Sequence, residues 1–306
     1  MELSFFAGRC DRFLTGLIIL LVAGQSAPAQ IPPVPQLTHA PAAVTWEPSS
    51  LVNGAPCLFR VKPSVDVKSL TGLWLTRTVP FELDAADGSW FALAAVGLNV
   101  TEGEYPLDLD GVANDGSKIL FRAEVTIGRG SYRTVDLRVA DRFTAPNATT
   151  RARIAREQKF KAAVFATVTT KRLWDGRFAP PIPSTATDSF GVRRTFNGVQ
   201  QSVHQGSDYR AKVGSPIASM NAGRVLLARN LFFEGGCIII DHGQGLLTIY
   251  MHLSKFSVKE GDRVERGQQI GLSGATGRVT GPHLHVSVRW QGVYLDPLAL
   301  VSLSLP

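Results

Sequence analysis

The chain has 306 residues, of which 44% are hydrophobic and 19% charged, a globular composition that excludes disorder over its whole length and leaves room for two modest domains. The formal net charge is +7, which suits anionic partners and plain solubility equally. No Lys/Arg block with interleaved aromatic residues is present, so nothing in the composition supports nucleic-acid binding.

At the start of the chain, Arg9 and Arg12 precede an apolar run from Phe13 to Ala23. Ala27 and Ala29 then give the small-x-small pattern of a signal-peptidase site. Residues 1–29 are therefore expected to be a signal peptide cleaved after Ala29, with an uncleaved N-terminal anchor as the alternative. The run is short for a bilayer span, and no later segment is apolar enough for one. The mature chain is thus expected outside the cytoplasm. Of the three cysteines, Cys10 would leave with the signal. Cys57 and Cys237 sit in apolar contexts (CLF, CIII). They are expected as two buried free thiols, although an oxidising compartment would permit pairing.

Residues 30–43 (QIPPVPQLTHAPAA) read as a Pro-rich linker. Residues 44–140 carry short alternating apolar runs, broken at Asn53-Gly54, Asp87-Gly88, Glu102-Gly103 and Asp115-Gly116. This spacing predicts a small β-sandwich of immunoglobulin-like architecture, without the Cys…Trp…Cys spacing of a true immunoglobulin domain. No catalytic cluster lies within it. Residues 141–177 form a connection. Within it a helix is predicted over 149–169, with Ile154, Phe160, Ala163 and Val164 near one stripe, acting as a strut between domains. Residues 178–306 enter through a Pro- and Ser-rich stretch and then read as strands again. The fold class expected is mainly β.

Four of the six histidines and one aspartate fall in patterns that suit a metal. In His204-Gln205-Gly206-Ser207-Asp208 an imidazole nitrogen and a carboxylate oxygen are both good zinc donors. Gly206 is expected to let the backbone bend so that both side chains face one point. By itself the motif is equally a surface His and a turn Asp. In His283-Leu284-His285, after Pro282, alternation puts His283, His285, Ser287 and Arg289 on one strand face. Either both imidazoles bind one metal, or one binds it while its neighbour reaches substrate or water. In Tyr250-Met251-His252 the same alternation puts Tyr250 and His252 on one face. Gly271, Gly274, Gly277 and Gly281 make the following loop one whose backbone comes close to a ligand or turns tightly. His242, in Asp241-His242-Gly243-Gln244-Gly245, reads as a structural hairpin residue.

In order along the chain, FGVRRTFNG, HQGSD, SPIASMNAGRV, IIIDHGQGLLTIYMHLS, VKEGDRVERGQQIGLSGATG and TGPHLHVSVR resemble the lysostaphin-type, or LytM-domain, zinc peptidases over roughly residues 178–297. The resemblance implies one zinc ion held by His204, Asp208 and His285, with His283 and His252 acting on water and the intermediate. It implies a metalloendopeptidase cleaving peptidoglycan stem or cross-bridge peptides, located in the periplasm or cell envelope or secreted. The alternative is a catalytically inactive LytM-type module that activates a wall amidase, a kind that usually lacks ligands. Ser207 departs from the family, which usually has an apolar residue there. The N-terminal β region is expected to restrain or position the peptidase region, or to act as a spacer.

Overall fold

The computed structural model describes residues 43–138, 146–196 and 200–306. The expected signal peptide, its cleavage point, Cys10 and nearly all of the Pro-rich stretch lie outside the described residues. Among the described residues, no helix is long and apolar enough to cross a membrane.

The architecture is mainly β. Eight strands come first: β1 (Ala43–Glu47), β2 (Pro56–Lys62), β3 (Val67–Trp74), β4 (Arg77–Pro80), β5 (Glu82–Leu83), β6 (Trp90–Ala95), β7 (Gly103–Ala113) and β8 (Lys118–Ile127). They form two antiparallel sheets, in the orders β1-β2-β6-β5 and β4-β3-β7-β8. The sheets meet at Trp74, which is fully buried edge-on to Phe59, with ring centroids 5.1 Å apart. Its indole N–H donates to Ala95 O across the interface, at 3.2 Å. In β3 and β7 exposed and buried residues alternate with the period of two that the sequence suggests. In β6 every residue is buried.

The chain then runs through β9 (Thr134–Leu137) to α1 (Ala148–Phe165). Asn147 caps the helix by accepting from Thr150 N–H at 2.9 Å. The helix stops at Phe165, short of the expected residue 169, where the β-branched run Thr167-Val168-Thr169-Thr170 begins. Its apolar residues Phe160, Val164 and Phe165 pack on Leu227, Leu231 and Ile239 of the C-terminal sheet, not between two domains as a strut would.

The C-terminal region contains β10 (Ala186–Asp188), β11 (Arg193–Phe196), β12 (Gln200–Val203), β13 (Ser207–Arg210), β14 (Pro216–Ala218), β15 (Gly223–Leu231) and β16 (Gly235–Asp241). It continues with β17 (Leu246–Leu253), β18 (Lys255–Phe256), β19 (Arg263–Val264), β20 (Gln269–Leu272), β21 (His283–Trp290), β22 (Val293–Leu295) and α2 (Pro297–Ser302). The main sheet runs β10-β13-β21-β17-β16-β15-β19, with β22 on β21. A small sheet, β12-β11-β9, brings the strand leaving the sandwich into parallel pairing with β11. Cys57 and Cys237 are free and buried, as their contexts suggest.

All the described residues belong to one compact unit. Trp174 is buried between Phe91 of the sandwich and Phe178 of the C-terminal region, at 6.3 and 6.1 Å between centroids. Arg172 stacks over Phe91 and Trp174 and donates to Glu82 at 2.8 Å. The sandwich and the main sheet thus share a hydrophobic core. Burial of each such aromatic side chain stabilises by about 2–3 kcal/mol. A fragment beginning at Arg177 uncovers this contact. It is expected to melt well below the chain beginning at residue 30, as measured by thermal unfolding. Equal melting temperatures would show that the C-terminal region does not depend on the sandwich.

His242 is fully buried, as its structural assignment requires. Nδ1 is 2.6 Å from Ala222 O, which fixes the N–H there, and Nε2 is 2.8 Å from Thr248 Oγ1. Burial lowers its pKa from 6.5 to about 4, against the partly compensating bond to Ala222. The folded state therefore favours neutral His242. That stability is complete above pH about 6.5 and is lost as pH falls toward about 4. The full effect is on the order of 3 kcal/mol. His242→Gln should be less stable at neutral pH yet lose stability less steeply between these two pH values, as read by urea midpoints. Parallel pH profiles for the two proteins would contradict this.

Candidate metal centre

The site is built on the pairing of β13 with β21, which sets Asp208 opposite His285 and Arg210 opposite His283. On β21, Leu284, Val286 and Val288 enter the core, while His283, His285 and Ser287 point to the other face, as alternation predicts. His204 precedes β13 and is held by two backbone bonds, His204 N–H to Val192 O at 2.7 Å and Gly191 N–H to His204 O at 2.8 Å. The backbone bends at Gly206 before β13, as expected, and does so without a left-handed φ. A Cβ there would lie 2.3 Å from Val286 O and 2.6 Å from His285 Nε2. The glycine makes room for the imidazole opposite it.

His204 Nε2, Asp208 Oδ1 and His285 Nδ1 form a triangle with sides of 3.1, 3.0 and 2.7 Å. Nδ1 of His204 lies 2.9 Å from Ser189 O, so it carries the proton and Nε2 presents a lone pair. Nε2 of His285 lies 2.9 Å from Ser287 Oγ. At most one proton, on His285 Nδ1, could serve the triangle. His204 Nε2 and the carboxylate oxygen still face each other as two acceptors. A cation is what three converging acceptors fit, and these three residues could hold a metal ion. Burial opposes ionisation of Asp208, yet the close contacts of the His204 and His285 imidazoles outweigh it and hold the carboxyl far below its ordinary range. Burial likewise lowers the pKa of His285 against the bond to Asp208.

His252 and His283 stand beside the triangle, with ring centroids 4.8 Å apart. Each has its Nδ1 near a carbonyl, His252 at 2.8 Å from Thr276 O and His283 at 2.8 Å from Gly281 O. Both therefore present Nε2 lone pairs toward the site. Burial, and then the charges of His285 and His283, push the pKa of His252 down to about 3. His283 Nε2 is 3.7 Å from Asp208 Oδ1.

Tyr250 and His252 do not share the site face. His252 adopts φ of 65°, a left-handed conformation that costs a non-glycine residue energy, on the order of 1–3 kcal/mol. The ladder between β16 and β17 shifts register there. The shift turns His252 to the side of Met251, while Tyr250 is buried in the core with its hydroxyl accepting from Met220 N–H at 2.8 Å. In the glycine loop, a Cβ on Gly277 would lie 2.4 Å from Gly235 N. The glycine thus serves close packing that seats the Thr276 carbonyl on His252. Ser207, at the family's apolar position, is fully buried, with an Oγ that makes no hydrogen bond among the described residues.

Two residues not singled out in the sequence border the triangle. Arg194 donates to Asp208 Oδ2 at 2.7 Å and also to Asp188 Oδ2. Asp188 Oδ2 lies 3.5 Å from His204 Nδ1. Nothing local marks them, because the carboxylates come from β10 and β13 and the guanidinium from β11. The site opens into a groove of about 650 Å³, bordered by Arg133, Lys161 of α1, Met251, Arg278 and Tyr294.

Residues 202–297 match Peptidase family M23. The peptidoglycan DD-endopeptidase ShyA of Vibrio cholerae serotype O1 is 47% identical over 89 residues, 29% of this chain and 21% of that protein. The DD-carboxypeptidase/endopeptidase Mpg of Neisseria meningitidis serogroup B is 40% identical over 104 residues, 34% of this chain and 23% of that protein. The chain thus spans about a fifth to a quarter of the length of these relatives. A crystal structure of a candidate M23 peptidase from Pseudomonas aeruginosa superposes with a TM-score of 0.61 at 25% identity, covering 82% of this chain and 94% of that one. The order of the motifs, the register that joins them and this structural likeness agree: the chain carries a Peptidase family M23 domain over residues 202–297.

Proposed function

We propose that the protein is a zinc-dependent metalloendopeptidase that cleaves stem or cross-bridge peptides of peptidoglycan in the cell envelope. The observation that carries this reading is the triangle of three acceptors at His204, Asp208 and His285. Two nitrogens and one oxygen are a donor set that suits zinc, and three protein ligands leave one position for water or substrate. The named activities of the ShyA and Mpg relatives support the substrate class. A complete set of five site residues favours an active enzyme over an amidase-activating module. The order of the N-terminal sheets supports an immunoglobulin-like sandwich over residues 44–140, followed by a connection and a peptidase region over 178–306.

Bound zinc would supply a Lewis acid that polarises the scissile carbonyl and makes a water molecule more acidic. His204, Asp208 and His285 would hold it. His283, with its N–H committed to Gly281 O, presents Nε2 as the general base that receives the proton of the attacking water. His252, with its N–H on Thr276 O, is likewise an acceptor in its neutral form. It orients the water first. It can donate to the oxyanion or to the leaving amine only after gaining a proton.

Metal analysis of the purified protein should find one zinc per chain, and His204→Ala and Asp208→Ala should each lose it. Full occupancy in both variants would overturn the ligand assignment.

His283→Ala should keep zinc while its release of muropeptides from purified peptidoglycan falls about 10²–10⁴-fold, the usual worth of a general base. If His283→Ala strips the metal and His285→Ala does not, the roles within the pair are reversed.

A further inference from the structure

Asp208 has two oxygens with different duties. Oδ1 completes the acceptor triangle, and Oδ2 accepts from Arg194 Nη2 at 2.7 Å. The same nitrogen bonds Asp188 Oδ2, so the guanidinium sits between two carboxylates that face each other across the pairing of β10 with β13. Arg194 is mostly shielded, with 16% of its side chain exposed, so its bonds are made away from bulk water and are strongly directional. Asp188 in turn accepts from Arg133 Nη2 at 2.5 Å and lies beside His204 Nδ1. The chain Arg133–Asp188–Arg194–Asp208 therefore reaches from the segment that leaves the sandwich to the metal-facing carboxylate. The backbone repeats the link, because Arg193 N–H donates to Arg133 O at 2.9 Å and β9 pairs with β11 from Thr134 opposite Arg193.

We infer that Arg194 is a positioning residue that ties down Oδ2 of Asp208, so that this carboxylate offers the metal one oxygen in a fixed direction, and that Arg133 braces it through Asp188. The inference rests on the proposed metal site. Two like-charged carboxylates held this close repel each other, and Arg194 relieves that repulsion while fixing their rotamers. Without it, Asp208 would be free to rotate and to present either oxygen. Partners that orient metal ligands in this way commonly contribute 10–100-fold to metal affinity. On this reading the segment from the sandwich is a structural part of the metal centre, distinct from a cover over the groove.

The test is zinc transfer from the full mature holoprotein to a chromophoric chelator, with thermal unfolding of the metal-free proteins alongside. Arg194→Gln should weaken zinc binding about 10–100-fold. Arg194→Lys, which keeps the charge but not the planar fork, should recover part of the loss. Arg133→Gln, at a side chain 59% exposed, should fold normally and weaken binding by a smaller factor. These losses should appear without a matching fall in the melting temperature of the metal-free proteins, which a general structural role would produce. Affinity within twofold of the parent in Arg194→Gln overturns the inference. Should Arg194→Gln not fold, parental affinity in both Arg194→Lys and Arg133→Gln does the same. A parent protein that takes up no zinc overturns the metal-site reading itself.

Discussion

The pairing of β13 with β21 is the constraint on which the site depends. It sets Asp208 opposite His285, and a slip of one residue would turn either strand's polar side chains into the core. That register is held by apolar side chains: Leu284, Val286 and Val288 are fully buried on the opposite face of β21. The hydrophobic face therefore fixes where the polar face points. Gly206 completes the arrangement, since any side chain there would collide with the imidazole of His285.

Energy held at His252 has a comparable role. A left-handed histidine is an unfavourable choice in a strand, and it persists because neighbouring contacts determine it. Its backbone N–H donates to Glu234 O, and its ring N–H is aimed at Thr276 O. These bonds orient a neutral imidazole toward His283 and His285. The same geometry fixes its tautomer, and so limits it to accepting a hydrogen bond until it gains a proton.

Two of the links between the sandwich and the C-terminal region differ in kind. One is apolar, through Phe91, Trp174 and Phe178. The other is polar and directional, through β9, Arg133 and Asp188 toward Arg194. The first contributes most to stability, because burial is proportional to area. The second contributes geometry, because charged hydrogen bonds fix direction. Helix α1 packs on the main sheet itself, covering part of its site-bearing face and bringing Lys161 to Glu234 at the rim of the groove.

Much of the fold was legible locally. Alternation in HLHVSVRW placed His283 and His285 on one face, and the apolar contexts of Cys57 and Cys237 announced buried thiols. The resemblance to LytM-type peptidases implied His204, Asp208 and His285 as a metal set, where the motifs by themselves left the choice between His283 and His285 open. Other features had no local signal. Period-two alternation assigned Tyr250 and His252 to one face and failed, because a single left-handed residue reverses the pattern and the bonds that impose it come from Glu234 and Thr276. The helix read as a strut lies on the main sheet, because periodicity reveals an apolar stripe without revealing its partner. Arg194 and Asp188 passed unremarked because a charged residue takes its meaning from its neighbours, and theirs come from separate strands. The sequence by itself determined which donor atoms were available and the period of the strands that carry them. Only the tertiary structure decided which donors converge and which groups hold them, because those contacts join residues far apart along the chain.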